Sequence, residues 1–420
     1  MSALGFERWL RGQVCAEIRP GLEATRAALG VLAAHGVRPP PAVVVVGTHG
    51  KGTTCALLAS LLDEGGRRVG LFTSPHLVYL SERYRVGGQL VEVARLWSAA
   101  QRLLGWLAAE DVALTFFELT FALAVLVFSE LEVSCVVFEA GLGGRLDCVN
   151  TLEPILCVMT PLGLDHQEYL GDTLAEIFSE KVAVSRPGVP LLVSEQPLDE
   201  AQRCLERELG RRPAVLWSHA PVLSEGLPPE VLSRVGGRAH ASCALLAARY
   251  LLSNALTSAQ EYRALERVSW PGRMDRRVLE LGEHTSVALC LDGAHHPESM
   301  SVLGVQLRDD GRLPPLILLG TLSNRDSALM YALASSISAL VVCVVGFHQL
   351  SILPGHARPC GDGYAWVWAD ELPGLLSWLS PGLDEVRAHN PNPPLVCGSL
   401  YLVGQVMRSG GVSPDDLSLW

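Results

Sequence analysis

Residues 43–54 read VVVVGTHGKGTT. Val43, Val44, Val45 and Val46 form a short, wholly apolar, β-branched run, the pattern of a buried parallel strand. Gly47 and Gly50 break the run with residues that let bare backbone come close to a ligand. Lys51 follows, and small and apolar residues from 53 to 62 continue as a helix. Strand, glycine turn, lysine and helix N-terminus together make an anion site, because free N–H groups and the positive end of the helix dipole point at phosphate. The strict phosphate-loop pattern G-x-x-x-x-G-K-[ST] is not met: Val45 stands where its first glycine belongs, and Gly52 separates Lys51 from Thr53. A chance glycine turn is the bland alternative, and the flanking strand and helix count against it.

The 420 residues suffice for two or three domains with sizeable cores. With 49% hydrophobic and 18% charged residues, the composition is that of a globular chain rather than a disordered one. A formal net charge of −11 argues against general binding to nucleic acid or an anionic membrane, while leaving room for a local phosphate pocket. The cysteines number eleven, scattered singly with no C-x-x-C pair, which suits reduced thiols in the cytoplasm better than disulfides or a zinc site. The N-terminus, MSALGFERWLRGQ, lacks the apolar stretch of a secretory signal. Residues 112–128 are strongly apolar, but Glu118 interrupts them and they fall short of the ~20 residues a membrane span needs. Residues 335–347 are shorter still, so a buried helix and a buried strand are expected.

Along the chain, residues 7–36 read as an amphipathic helical lead-in ending near Gly36, before Pro39-Pro40-Pro41. Residues 68–73 give a second strand, followed by Ser74-Pro75-His76. Alone, that turn reads as surface; its place at the carboxyl end of a strand beside the glycine turn is where open α/β sheets bind ligands. A hydroxyl there could reach a magnesium ion, which takes oxygen ligands. Residues 114–128 form a long buried helix and 133–139 a third strand ending in Glu139, well placed as a second magnesium ligand. Residues 155–160 give a fourth strand, with His166 just past its end. A lone histidine is more often structural, but Lys51, Ser74, Glu139 and His166 all fall on one strand-end edge. A helix follows from 170 through Lys181, which by itself reads as solvated surface. Residues 191–193 are a strand, 199–209 a polar helix and 241–252 an alanine-rich buried helix. A boundary fits at 273, giving domains 1–273 and 274–420. The second begins again with strands at 287–291, 316–319, 339–345 and 395–397, a second doubly wound α/β unit whose strand ends carry Asp292, His295 and Asp326. These would face the first domain across a cleft. Residues 390–394, NPNPP, are loop.

Several motifs stand in order: GTHGKGTTC (47–55), TSPHL (73–77), SERYRV (81–86), FFE (116–118), EAGLGGRLD (139–147), GLDHQEYLGDTL (163–174), EK (180–181), WPGR (270–273), DGAHHP (292–297) and GSLYLVG (398–404). Over nearly its whole length the chain resembles the folylpolyglutamate synthase/dihydrofolate synthase family of the Mur ligase superfamily. The resemblance implies an α/β fold, with a Mur ligase-like, parallel-sheet ATP-binding domain followed by a Rossmann-like C-terminal domain and the active site between them. It implies ATP-dependent amide formation through an acyl phosphate, with L-glutamate added to dihydropteroate, to tetrahydrofolate, or to both, and ATP and magnesium as cofactors. Gly47, Thr48, His49, Gly50, Lys51, Gly52, Thr53 and Thr54 would bind the nucleotide, with Arg273 on its phosphates. Asp292 and a catalytic His295 would approach it from the second domain. Thr53, Ser74, Glu139 and His166 would be the magnesium set, and Phe117 and Asp147 would lie near the pterin. Lys181 matches a lysine that is carbamylated in related enzymes, where added CO2 turns a cation into a carboxylate-like group. Lys51 and Lys181 are then catalytic. A cytoplasmic monomer is implied.

The chain departs from the family pattern at several points. His49 and His296 stand where asparagine is usual, and Cys243 falls at an asparagine that contacts adenine. Asn324-Arg325-Asp326 replaces Asp-Lys-Asp, and Val182-Ala183 replaces Ala-Gly. Altered nucleotide contacts with retained chemistry are expected. The competing readings are another Mur-type ligase, such as a cell-wall peptide ligase, and a divergent nucleotide binder that no longer catalyses.

Overall fold

The computed structural model describes residues 2–14, 21–194, 196, 203, 206–207, 215–218, 237–282, 285–323, 326–348, 351, 364–377 and 390–420. Most of the polar helix expected at 199–209, and Asn324 and Arg325, lie outside these residues. Contacts divide the chain into two units, Met1–Val268 with Ser418–Trp420, and Ser269–Leu417.

The first unit is built on an eight-stranded sheet. Its strands are β1 (Ala42–Val46), β2 (Val69–Phe72), β3 (Tyr84–Val86), β4 (Gln89–Leu90), β5 (Cys135–Glu139), β6 (Pro154–Met159), β7 (Leu191–Ser194) and β8 (Val215–Ser218). They lie in the order β4-β3-β2-β5-β1-β6-β7-β8. All the pairings from β2 to β8 are parallel. The β3–β4 pair is an antiparallel hairpin. Its turn is Gly87-Gly88, both at positive φ, the geometry that twists a two-residue hairpin correctly. β1 is buried at every residue, as its run of valines requires.

Helices cover the sheet. Phe116–Glu130 starts at a capping box, in which Glu118 takes the Thr115 N–H at 2.8 Å. Phe72, Phe121, Phe128 and Phe138 interlock beneath this helix, with ring centroids 5.6–6.4 Å apart. The expected lead-in is two helices, Ala3–Arg11 and Glu23–Ala34, because Gly12 ends the first. A helix the motif reading passed over, Val93–Ala109, buries Leu96, Ala99, Ala100, Leu103 and Leu107 at helical spacing. Among the described residues no helix is long and apolar enough to cross a membrane.

The second unit holds β9 (Asp275–Gly282), β10 (Thr285–Leu291), β11 (Ile317–Leu319), β12 (Val341–Val345), β13 (Tyr364–Trp368) and β14 (Leu395–Cys397), ordered β13-β12-β11-β14-β10-β9. Among the described strands of this sheet, β9, at its edge, is the one that runs antiparallel to its neighbour. Helices Pro297–Asp309, Ser327–Ile337 and Leu400–Ser409 pack on this sheet. Both units are thus parallel-dominated α/β layers.

Candidate active site

In the first unit β2, β5, β1 and β6 are consecutive neighbours, so the segments leaving their carboxyl ends share one edge. From β1 leaves the glycine turn. Gly47 sits at φ +143°, and a Cβ there would lie 1.9 Å from Thr160 Oγ1 at the end of β6. Gly50 caps helix Lys51–Glu64 in the left-handed region, at φ 73° and ψ 12°. Only glycine combines that backbone with so close a neighbour. The turn is sewn to the segment after β6. Thr48 and His49 donate their N–H groups to Pro161 O at 2.9 and 3.1 Å, and Thr48 Oγ1 donates to Gly163 O at 3.1 Å. A Cβ on Gly163 would stand 2.4 Å from His49 Nε2, so the histidine in place of asparagine is accommodated against a bare glycine. Lys51 Nζ arches back to Gly47 O at 3.1 Å and Thr48 O at 3.4 Å. Thr53 is buried in the same helix. Thr54 has no exposed surface, and its hydroxyl lacks a partner among the described residues.

From β2 leaves Ser74, whose N–H donates to Glu139 Oε2 at 2.9 Å. That bond aims the carboxylate ending β5 along the same edge. After β6, His166 adopts φ 52° and pairs with Asp165 at 3.4 Å, its side chain 42% exposed. Among the described residues no three His, Cys, Asp or Glu side chains gather as a metal cluster. The expected magnesium set holds only one carboxylate and one imidazole; its other two members are hydroxyls.

Lys181 is a buried residue, not the surface lysine its helical position suggests alone. Burial brings its amine down to about 7, with Lys51 acting in the same direction and Asp165 and Asp147 against it. Its helix, Leu174–Val182, is stitched to the glycine-rich loop after β5: Arg145 N donates to Glu180 O at 2.8 Å. Gly144 leaves no room for a Cβ, which would fall 2.7 Å from Lys181 O. Asp147 holds that loop in shape by accepting the N–H groups of Gly141, Leu142 and Val149 at 2.8, 2.9 and 3.1 Å. Burial still raises its carboxyl, the three hydrogen bonds and Lys51 notwithstanding. Phe117 packs its ring on Gly141, where a Cβ would meet it at 2.6 Å.

Two departures from the family pattern find physical explanations. Cys243 lies inside helix Arg238–Leu251 rather than ahead of it and is completely buried, so its side chain is core. The residue of that helix that reaches the glycine turn is His240, one turn earlier. A Cβ on Gly50 would come within 1.9 Å of its Cε1 and 2.4 Å of both ring nitrogens. No motif marks His240; its spacing of one helical turn from Cys243 was the available signal. His296 is the buried N-cap of helix Pro297–Asp309, with its N–H on Ser299 Oγ at 3.1 Å, so it serves the helix end.

Within the second unit, the segment leading into β9 and the segment leaving β10 bring together Arg273, Asp292 and His295. Asp292 accepts from Met274 N at 2.9 Å and Ala294 N at 2.8 Å. Burial raises its carboxyl while Arg273 pulls the other way. The Arg273 guanidinium lies over Gly293, where a Cβ would fall 1.9 Å from Nη1. His295 Nδ1 donates to Gly293 O at 2.6 Å. Asp326 caps helix Ser327–Ile337 through Leu329 N at 3.0 Å.

No family model matches the chain. Among curated proteins, the dihydrofolate synthase/folylpolyglutamate synthase of Bacillus subtilis is 32% identical over 330 residues, 71% of this chain and 75% of that protein. The bifunctional folylpolyglutamate synthase/dihydrofolate synthase of Yersinia pestis, complexed with AMPPNP and Mn, superposes with TM-score 0.80 at 25% identity over 98% of each chain. Escherichia coli FolC in complex with DHPP and ADP gives TM-score 0.76 at 25% identity over 97% of each chain. Identity of this extent along most of the Bacillus protein reflects common descent and not a shared fold alone: the chain belongs to the dihydrofolate synthase/folylpolyglutamate synthase family.

Proposed function

We propose that the chain is an ATP-dependent ligase that adds L-glutamate to a pterin-borne carboxylate, both forming dihydrofolate from dihydropteroate and lengthening reduced folates. The observation that carries this is the alignment, at the ends of adjacent strands, of the left-handed Gly50, Lys51 and the Ser74–Glu139 hydrogen bond. Relatives named for both activities support the same reading. Together with the folate names, the retained Lys51, Glu139, His166 and Lys181 favour it over a cell-wall peptide ligase and over a retired nucleotide binder.

A carboxylate is a poor electrophile, so one of its oxygens must first become a leaving group. A carboxylate oxygen attacks the γ-phosphorus of ATP, the bond to the bridging oxygen breaks, and ADP departs. The amine of glutamate then attacks the acyl carbon and loses a proton, and phosphate leaves with the bonding pair. Lys51 and the N–H groups opening helix Lys51–Glu64 hold the phosphate charge in place throughout. Gly47, Thr48, His49, Gly50, Gly52 and Thr54 shape that cradle. Thr53, Ser74, Glu139 and His166 would hold magnesium, which when bound offsets the charge of the phosphates. A donor set of two hydroxyls and a fixed carboxylate, hard oxygen ligands, fits such an ion. Phe117 and Asp147 define the pterin end, Arg273 and Asp292 serve the nucleotide, and His295 is the catalytic histidine of the second unit.

Lys181 fits carbamylation. An amine titrating at about 7 is roughly half neutral at neutral pH, whereas an ordinary lysine is so in fewer than about one molecule in a thousand. Its lone pair can attack CO2, forming an N–C bond and releasing a proton. The substrates are small molecules, and we infer a monomer acting in the cytosol; the eight cysteines described, all buried free thiols, agree with a reducing compartment.

The test is ADP release by the purified protein with magnesium, ATP and glutamate, comparing dihydropteroate, tetrahydrofolate and no acceptor. Release that needs both glutamate and a pterin is expected, and Lys51→Ala should abolish it without unfolding the protein. Release independent of either pterin would overturn the reading.

A further inference from the structure

A second charged assembly lies beside the metal-side edge. Arg83 closes the short helical turn Leu80–Arg83 and is only 7% exposed. Its neighbour Glu82 fixes the turn by accepting the N–H groups of Leu77, Val78 and Tyr79 at 3.0, 2.6 and 2.7 Å. Arg83 Nε donates to His76 Nδ1 at 3.0 Å. His76 Nε2 in turn meets Glu7 Oε2 at 3.2 Å. Nδ1 thus faces the arginine and Nε2 the carboxylate, so the ring bridges the two. Glu7 also pairs with Arg11 at 2.8 Å. Burial pushes the Glu7 carboxyl up, but His76 and Arg11 outweigh it and bring it to about 2, so it is ionised. Both guanidinium groups face the Phe116 ring, Arg11 at 4.1 Å and Arg83 at 5.5 Å from its centroid. Arg83 and Arg11 are the two guanidinium cations of this assembly, with Glu7 shared between Arg11 and His76, and Glu82 engaged by the backbone of its own turn. Within the assembly Arg83 Nη1 is buried with no hydrogen-bond partner among the described residues. A charged donor left buried and unmade is costly, which the fold tolerates where a ligand completes it.

The location says which ligand. His76 lies two residues past Ser74, whose N–H holds Glu139. Burial lowers the Arg83 guanidinium, with Glu7 and Glu139 among the groups that oppose that shift. Phe116 adjoins Phe117, the ring on Gly141. We infer that Arg83 binds a substrate carboxylate, with His76 and Glu7 as positioning residues that hold its guanidinium. The inference rests on the ligase reading above. Two carboxylates qualify by chemistry, that of the pterin acceptor and those of free L-glutamate.

The experiment compares wild type with Arg83→Gln, measuring KM for pterin, glutamate and ATP separately, kcat, and equilibrium binding of dihydropteroate without ATP. Loss of a charged hydrogen-bond donor predicts a rise of about 10- to 100-fold in KM for one carboxylate substrate. KM for ATP should stay within about twofold. A rise for the pterin with matching loss of dihydropteroate binding names the acceptor; a rise for glutamate alone names the amino acid. All KM values within twofold of wild type, or an equal loss across all three, overturns the inference. Should Arg83→Gln lower the thermal midpoint sharply, His76→Asn carries the test, with a smaller rise in the same KM expected and no rise refuting it. Wild type that neither binds nor glutamylates a pterin defeats the ligase reading itself, and the Arg83 assignment with it.

Discussion

Gly50→Ala is the sharpest perturbation of the nucleotide cradle. At φ 73° an alanine pays the left-handed penalty, about 1–2 kcal/mol. Its methyl would also stand 1.9 Å from His240 Cε1, so the imidazole must swing away and forfeit its packing, about 1 kcal/mol more. Together these come to about 2–3 kcal/mol, and if the loop keeps its bound shape the nucleotide affinity falls about 30- to 150-fold. His240→Ala in the same background removes the steric part and leaves the backbone part. The double variant should therefore bind better than Gly50→Ala alone, with a coupling of about 1 kcal/mol. Calorimetric titration with ADP or a non-hydrolysable ATP analogue measures all four proteins, and thermal unfolding shows whether the cost falls on the fold or on binding. Wild-type affinity in Gly50→Ala, or strict additivity of the two changes, would refute the placement of His240 over the turn.

Two further outcomes follow from Lys181 and Trp420. The folded-state amine of Lys181 titrates at about 7, below the ~10.4 of a free lysine, so the unfolded chain binds the extra proton between those values. In CO2-free buffer stability should therefore climb as pH rises from 7 toward 10, and Lys181→Met should flatten that climb in denaturant midpoints. Adding bicarbonate should raise turnover in wild type only. Trp420 lies on Gly88, donates Nε1 to Asp63 at 3.2 Å and carries the Arg267 guanidinium 5.0 Å above its ring. Trp420→Ala should cost about 2 kcal/mol and lower the first unit's unfolding midpoint by roughly 4–8 °C, read by calorimetry.

What could be read from the sequence was whatever a local pattern encodes. The valine run and the glycines after it specify a strand and a turn within a dozen residues. Parallel register then does the rest: once β2, β5, β1 and β6 run the same way, Ser74, Glu139, the glycine turn and the segment carrying His166 all leave the sheet at one edge. The helix Val93–Ala109 was equally legible from its period, yet carries no chemistry and was passed over in favour of motifs. His240, Cys243 and Arg83 are different in kind. Helix Arg238–Leu251 packs against helix Lys51–Glu64, and that packing decides that position 240 meets Gly50 while position 243 turns to the core. Residue type misled at Cys243 because an aligned position implies a role only if the side chain points the same way. Arg83 shows the limit most clearly. In a solvated turn the same arginine would be surface; what makes it a candidate for binding is a phenyl ring from residue 116, a carboxylate from residue 7 and an imidazole from residue 76. A site whose charge balance is assembled from segments that far apart leaves no periodicity or spacing to find, so its chemistry becomes visible only when the burial and the missing partner are seen together.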